Sequence, residues 1–213
     1  MKIFKDRRSA GKLLAKRLKS AKADLVLGIP RGGIVVAAEL AKELKLPLDV
    51  LVTRKIGAPF QIELALGAVD PDGEVVWENV LLGETGIKSE QLGEQVKEQW
   101  KEVKRREDAY RFARRPLANL VGGKIVILVD DGIATGSTTL SAINYLKRHN
   151  AKKIILSVPV ASKEAKIRVI REIGEIGEVI ILETPEYFQA VGQFYQDFPQ
   201  ITDEEVVQLL NEK

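Results

Sequence analysis

Two consecutive acids, Asp130 and Asp131, follow the apolar run Val126-Ile127-Leu128-Val129, and a short loop with Ala134, Thr135, Gly136, Ser137 and Thr138 comes next. The run reads as a buried strand, and residues 137–148 read as a helix. A helix N-terminus leaves N–H groups unpaired and carries a partial positive charge, which suits a phosphate. Gly136 lets a ligand approach the backbone closely. The hydroxyls of Thr135, Ser137 and Thr138 add donors. Carboxylates accept hydrogen bonds from vicinal hydroxyls, and ligands of parallel sheets bind at the carboxyl ends of strands. A sugar phosphate is the guest that this stretch implies; a capped helix beside two stray acids is the plainer alternative.

Two further segments could hold anions. Gly28-Ile29-Pro30-Arg31-Gly32-Gly33 offers glycine-freed amides and one arginine for a pair of phosphates, or simply a strand-to-helix turn. Thr53-Arg54-Lys55 ends another strand pattern and opens a stretch, 54–59, whose Gly57 and Pro59 read as a loop. Taken alone, its two cations are a solvated pair. Three anion-suited segments at three strand ends point to a phosphorylated ligand.

The elements needed to position them are legible. Helical patterns cover residues 9–20, 34–45, 137–148 and 162–173, and strand patterns cover 24–29, 48–53, 124–129, 152–158 and 178–182. Two short strands, 66–70 and 74–80, flank the turn Asp70-Pro71-Asp72-Gly73. A last helix begins near Asp203, which reads as its N-cap with Glu204 and Glu205 in the first turn. Continuous apolar strands separated by helices predict an α/β fold with a parallel sheet covered on both faces. Leu92, Val96, Trp100, Val103 and Tyr110 form a helical stripe over 89–111, a length of about 35 Å at 1.5 Å per residue. Such an arm crosses the core or reaches a partner subunit, and Trp100 on it points to a homodimer.

Composition narrows the chemistry. The 213 residues contain 33 Lys and Arg, 30 Asp and Glu, one His and no Cys. Disulfides, thiol nucleophiles and Cys-held metals are excluded, as is any site needing two imidazoles. The net charge of +3 gives no sign of nucleic acid or membrane binding. No apolar run reaches the roughly 18 residues of a membrane span, and no signal peptide is legible, so a cytoplasmic protein is expected.

The stretch from Val126 to Thr138 resembles the phosphoribosyl-diphosphate (PRPP) signature of type I phosphoribosyltransferases: apolar residues, two acids, a short loop and Thr-Gly-x-Thr. The resemblance implies that Asp130 and Asp131 hold the ribose hydroxyls. It implies that Ala134, Thr135, Gly136, Ser137 and Thr138 hold the 5′-phosphate. It makes Pro30, Arg31, Gly32, Gly33, Arg54 and Lys55 the diphosphate site. Mg²⁺ would bridge diphosphate and ribose, meeting Asp130 and Asp131 mostly through water and PRPP. The family fold adds a small hood, and the whole chain, 1–213, would be one phosphoribosyltransferase domain: a core of about 20–183, an arm of about 86–115 and an aromatic tail of about 184–213. The reaction implied is Mg-dependent transfer of ribose 5-phosphate from PRPP to an unidentified nitrogenous base, as in nucleotide salvage.

Finer features follow from the same resemblance. The family keeps a mobile lid before the signature strand, which makes Tyr110 and Arg111 lid candidates; most arginines of 105–115 read as ordinary surface pairs. The tail looks somewhat like the base-binding tail of hypoxanthine-guanine phosphoribosyltransferase, so Phe188, Val191, Phe194 and Tyr195 are base-proximal candidates, with packing as the alternative. Ala134 stands where 6-oxopurine enzymes carry an acidic proton-transfer group, which disfavours a 6-oxopurine. Gly132 replaces the usual apolar residue and is expected to loosen the turn. A PRPP-sensing regulator, with the arginines on RNA, and a hydrolase of a phosphoribosyl compound are the competing functions.

Overall fold

The computed structural model describes residues 3–212, with residues 62 and 63 described by their backbone alone. Asp6 caps α1 (Arg7–Arg17) in a reciprocal capping box with Ser9, which starts the helix two residues before the periodicity does. Then come β1 (Leu25–Gly28), α2 (Gly32–Leu44), β2 (Leu48–Val50), β3 (Arg54–Ala58), β4 (Gln61–Val69) and β5 (Val75–Trp77). The short α3 (Asn79–Thr85) and the arm α4 (Gly93–Tyr110), entered by a 3₁₀ turn at Ser89–Leu92, follow. The remainder is α5 (Leu117–Val121), β6 (Ile125–Val129), α6 (Ser137–Arg148), β7 (Lys153–Val160), α7 (Lys163–Ile173), β8 (Gly177–Glu183) and α8 (Asp203–Asn211).

Five strands form a parallel sheet in the order β2-β1-β6-β7-β8. Alternate side chains feed two cores, as the pleat demands. Val26, Ile127 and Ile155 pack with Ile34, Leu40 and Val206 on one face, while Leu27, Leu128 and Leu156 pack with Ile143, Leu146 and Val169 on the other. The strand order reverses between β1 and β6, where Gly28 pairs with Val129. The loops leaving these two strands therefore start side by side, at the switch point where open α/β sheets bind ligands. Among the described residues no helix is long and apolar enough to cross a membrane.

Two expectations need correction. The segment read as a loop at 54–59 is largely strand β3, joined to β4 in a separate antiparallel sheet, β3-β4-β5. Register shifts on either side of Gly57 mark a bulge, so the glycine bends the strand rather than ending it. The N-cap of α8 is Thr202, boxed with Glu205; Asp203 is the first helical residue and uses its carboxylate elsewhere. The arm lies along this chain's own small sheet and α8, and the Trp100 indole donates to the Pro71 carbonyl at 3.1 Å.

Candidate active site

The chain leaves β6 as Asp130-Asp131. The Asp131 N–H donates to Asp130 Oδ1 at 2.8 Å, which turns the first carboxylate back over the second residue. Asp131 Oδ2 accepts from Arg7 Nε at 2.7 Å, and the Asp131 carbonyl accepts from the Tyr195 hydroxyl at 2.6 Å. The start of α2 presses against this pair. A Cβ on Gly33 would lie 2.8 Å from Asp130 Cα, and one on Gly32 would lie 1.9 Å from Asp131 Oδ2. Only residues without a side chain let the two loops meet. Burial, then the neighbouring Asp131 charge, push the Asp130 carboxyl well above the usual carboxylate range. Burial raises Asp131 as well, against the opposing pull of Arg7.

The next loop is gripped from beneath. Gly136, at φ +94°, is the N-cap residue of α6 and needs the left-handed region that glycine adopts freely. The Ser137 hydroxyl donates to Glu78 Oε1 at 2.6 Å, and Arg168 pairs with both oxygens of Glu78 at 2.9 and 3.0 Å. Arg168 also donates to the Thr135 carbonyl at 2.8 Å, and the Ser162 hydroxyl donates to the Ala134 carbonyl at 2.7 Å. The loop's carbonyls are thus held by α7 and its cap, which leaves the N–H groups at the start of α6 for a ligand.

These loops enclose a cleft with a volume of about 240 Å³. Pro30, Arg31 and Gly32 line it together with Lys55, Asp130, Asp131, Ala134, Thr135, Gly136 and Thr138. Val191 reaches in from the tail. Arg31 lines the cleft with its guanidinium 3.8 Å from Asp203, and Lys55 acts on Asp130 directly. Two adjacent carboxylates beside these cations and a helix N-terminus can hold a sugar that carries phosphate at both ends.

A family model described as phosphoribosyl transferase domain matches residues 5–177. The chain belongs to the phosphoribosyltransferase family. It is 44% identical over 213 residues to a Mycobacterium tuberculosis H37Rv protein named "Putative phosphoribosyl transferase", covering 99% of this chain and 47% of that one. It therefore spans about half the length of that relative. An amidophosphoribosyltransferase of Staphylococcus aureus is 28% identical over 158 residues, 74% of this chain and 24% of its own. Among solved structures, TT1426 from Thermus thermophilus superposes with a TM-score of 0.78 at 40% identity, covering 98% of this chain and 97% of that one. A Neisseria gonorrhoeae protein solved with bound ppGpp shares the fold, with a TM-score of 0.54 at 17% identity over 99% and 96% of the two chains. The fold is that of the type I phosphoribosyltransferases.

Within this member of the family, several candidates stand away from the cleft. Arg54 does not line it; its guanidinium donates to Gln99 Oε1 on the arm at 3.0 and 2.8 Å. Ser137 is 1% exposed and its hydroxyl points inward to Glu78, so it reaches the loop's outer face by its backbone only. Tyr110 is buried with its hydroxyl on Asp203 at 2.5 Å, and Arg111 is buried in a two-pronged pair with Asp49 at 2.9 and 3.1 Å. Both lid candidates are pinned to the body of the protein. Phe194 and Tyr195 fill a satellite core with Phe4 and Val160, and the Phe188 ring packs against Phe194 in a tilted pair with centroids 5.0 Å apart. Packing thus engages these aromatics, and Val191 alone touches the cleft. A Cβ on Gly132 would lie 2.6 Å from Val191 Cγ1 and 2.9 Å from Val160 Cγ1. Gly132 makes room for the tail.

Sequence reasoning missed Arg7, Glu78 and Arg168. All three act across long stretches of chain, and no local spacing marks them.

Proposed function

We propose that this phosphoribosyltransferase moves ribose 5-phosphate from PRPP to a nitrogenous acceptor and releases diphosphate. The observation that carries the reading is the convergence of the Pro30–Gly32 turn, Lys55, the two aspartates and the start of α6 on one cleft. The amides of residues 135–138 and the Thr135 and Thr138 hydroxyls receive the 5′-phosphate. Asp130 and Asp131 accept the ribose hydroxyls. Arg31, Lys55 and the glycine amides receive the diphosphate.

As the bond from ribose C1 to the diphosphate oxygen breaks, the ring gains oxocarbenium character and the diphosphate gains charge. The aspartates stabilise the first and the cations the second. The acceptor nitrogen then bonds to C1 from the opposite side. Among the described residues no cluster of three or more carboxylates and imidazoles could hold a metal. Two carboxylates suit Mg²⁺, which keeps waters and takes substrate phosphates as ligands; bound in this way it would neutralise the leaving diphosphate. With Oδ2 of Asp131 on Arg7, Asp130 is the carboxylate better placed to approach it.

Ala134 and Val191 line the cleft and add no titratable group to its wall. A panel of bases and amines incubated with PRPP and Mg²⁺ tests the reading. Acceptor-dependent diphosphate release with an N-ribosyl product is expected. Release of diphosphate with free ribose 5-phosphate, independent of any acceptor, would instead show hydrolysis.

A further inference from the structure

Arg7 is tied to the predicted ribose site although it lies 124 positions before Asp131. It is the first residue of α1, its side chain is 8% exposed, and three contacts fix its guanidinium. Nε donates to Asp131 Oδ2 at 2.7 Å, Nη1 donates to the Pro199 carbonyl at 2.8 Å, and the guanidinium carbon sits 3.6 Å above the centre of the Phe198 ring. A Cβ on Gly32 would come within 2.9 Å of Arg7 Nε as well as 1.9 Å of Asp131 Oδ2. The N-terminal helix, the diphosphate turn and the tail therefore all converge on one ion pair. Residues 3–5 reinforce this by hydrogen-bonding to the tail: Phe4 N–H to the Phe194 carbonyl at 2.9 Å, and Gln196 N–H to the Phe4 carbonyl at 2.8 Å.

We infer that Arg7 is a positioning residue for ribose: it fixes the direction of the Asp131 carboxylate and lets the tail set the sugar site. A lone carboxylate swings about two torsions. One bonded to a planar guanidinium that is itself stacked and hydrogen-bonded on other sides does not. Lysine keeps the charge but not the fork, so the geometric role separates from the electrostatic one. The inference rests on the transfer reading above.

The test is calorimetry of PRPP, ribose 5-phosphate and inorganic diphosphate, each with Mg²⁺, on the wild type and on Arg7→Lys. Ribose 5-phosphate and PRPP are expected to bind about tenfold more weakly to the variant, the scale of one charge-assisted hydrogen bond, with diphosphate within about twofold. In an Asp131→Asn background the same Arg7→Lys change should cost less than about twofold, because its partner is gone. Unchanged ribose 5-phosphate binding, an equal loss for all three ligands, or the same loss in the Asp131→Asn background would overturn the inference. Phe198→Leu, which removes the stacked face and spares the ion pair, provides a second reading if Arg7→Lys does not fold. It should weaken ribose 5-phosphate about threefold and leave diphosphate alone, and no change for ribose 5-phosphate would contradict the role. A wild type that binds neither PRPP nor ribose 5-phosphate would sink the transfer reading itself; normal wild-type binding with indifferent variants would sink this inference alone.

Discussion

Two carboxylate clusters in this molecule are built in opposite ways. At the end of β6, Asp130 and Asp131 adjoin each other, and among the described residues only Asp131 has an ion-pair partner, Arg7; both carboxyls are raised, first of all by burial. Between the arm and α8, Glu102 and Asp203 are surrounded by donors. A hydrogen bond from Arg105, opposed by burial and aided by Arg106, brings the Glu102 carboxyl down to about 2. Burial would raise Asp203, but Arg105 and Tyr110 outweigh it and leave it lowered. The arm cluster is satisfied within the fold. The β6 cluster is not, and its missing partners are what ribose hydroxyls and a diphosphate-bound cation would supply. Poor compensation beside a cleft marks function; full compensation marks architecture.

Substitutions sharpen the contrast, beginning with the most damaging. Gly32→Ala puts a methyl into the contact between Asp131 and Arg7. PRPP affinity should fall by more than about a hundredfold in calorimetry, with a stability loss of about 2 kcal/mol in urea melts. PRPP binding at wild-type strength would show that this contact is not crowded. Next comes Arg168→Ala, which leaves the buried Glu78 with Ser137 but no cation. A loss of about 2 kcal/mol and a roughly tenfold weaker ribose 5-phosphate affinity are expected; stability loss without any change in affinity would remove Glu78 and Arg168 from the support of the phosphate loop.

Asp130→Asn should act in the reverse sense on stability. A carboxyl whose folded value is raised costs stability above that value, and the cost disappears as pH falls toward the unfolded value near 3.9. The variant should therefore be more stable than the wild type by about 1 kcal/mol at pH 7, with the gap closing on acidification, while PRPP binding is lost. A destabilised variant at neutral pH would mean that the fold already satisfies Asp130. Glu102→Gln should do least: under about 0.5 kcal/mol, since the pair is solvent-screened, with PRPP binding intact. In the wild type this depressed carboxyl contributes above its unfolded value near 4.3, and the contribution fades as pH falls toward about 2. A large effect of Glu102→Gln on PRPP binding would erase the distinction between the clusters.

Local pattern revealed the parts of this protein that local physics decides. The parallel strands, the helix from Ser137 to Arg148 and the hairpin around Asp70–Gly73 could be read because continuous apolar runs, a helical stripe and turn residues each report on their own segment. The acids after β6 and the glycines after β1 could be read for the same reason. What escaped was set by tertiary contact. Gly57 resembled a loop breaker because a bulge and a turn share the residue. Tyr110 and Arg111 looked available because Asp203 and Asp49, which hold them, are 93 and 62 positions away. Ser137 looked like a phosphate donor until Glu78, 59 positions upstream, took its hydroxyl. Phe194 and Tyr195 read equally well as stacking or packing groups, and the strand-like pairing of the tail with residues 3–5 buries both.

The central claim is that the under-compensated aspartate pair is the ribose site of a PRPP-binding cleft. Titration calorimetry of PRPP with Mg²⁺ against the wild type and the double variant Asp130→Asn with Asp131→Asn tests it most directly. The wild type is expected to bind, and the double variant to melt cooperatively yet show no detectable PRPP binding. Undiminished binding to the folded double variant would contradict the claim.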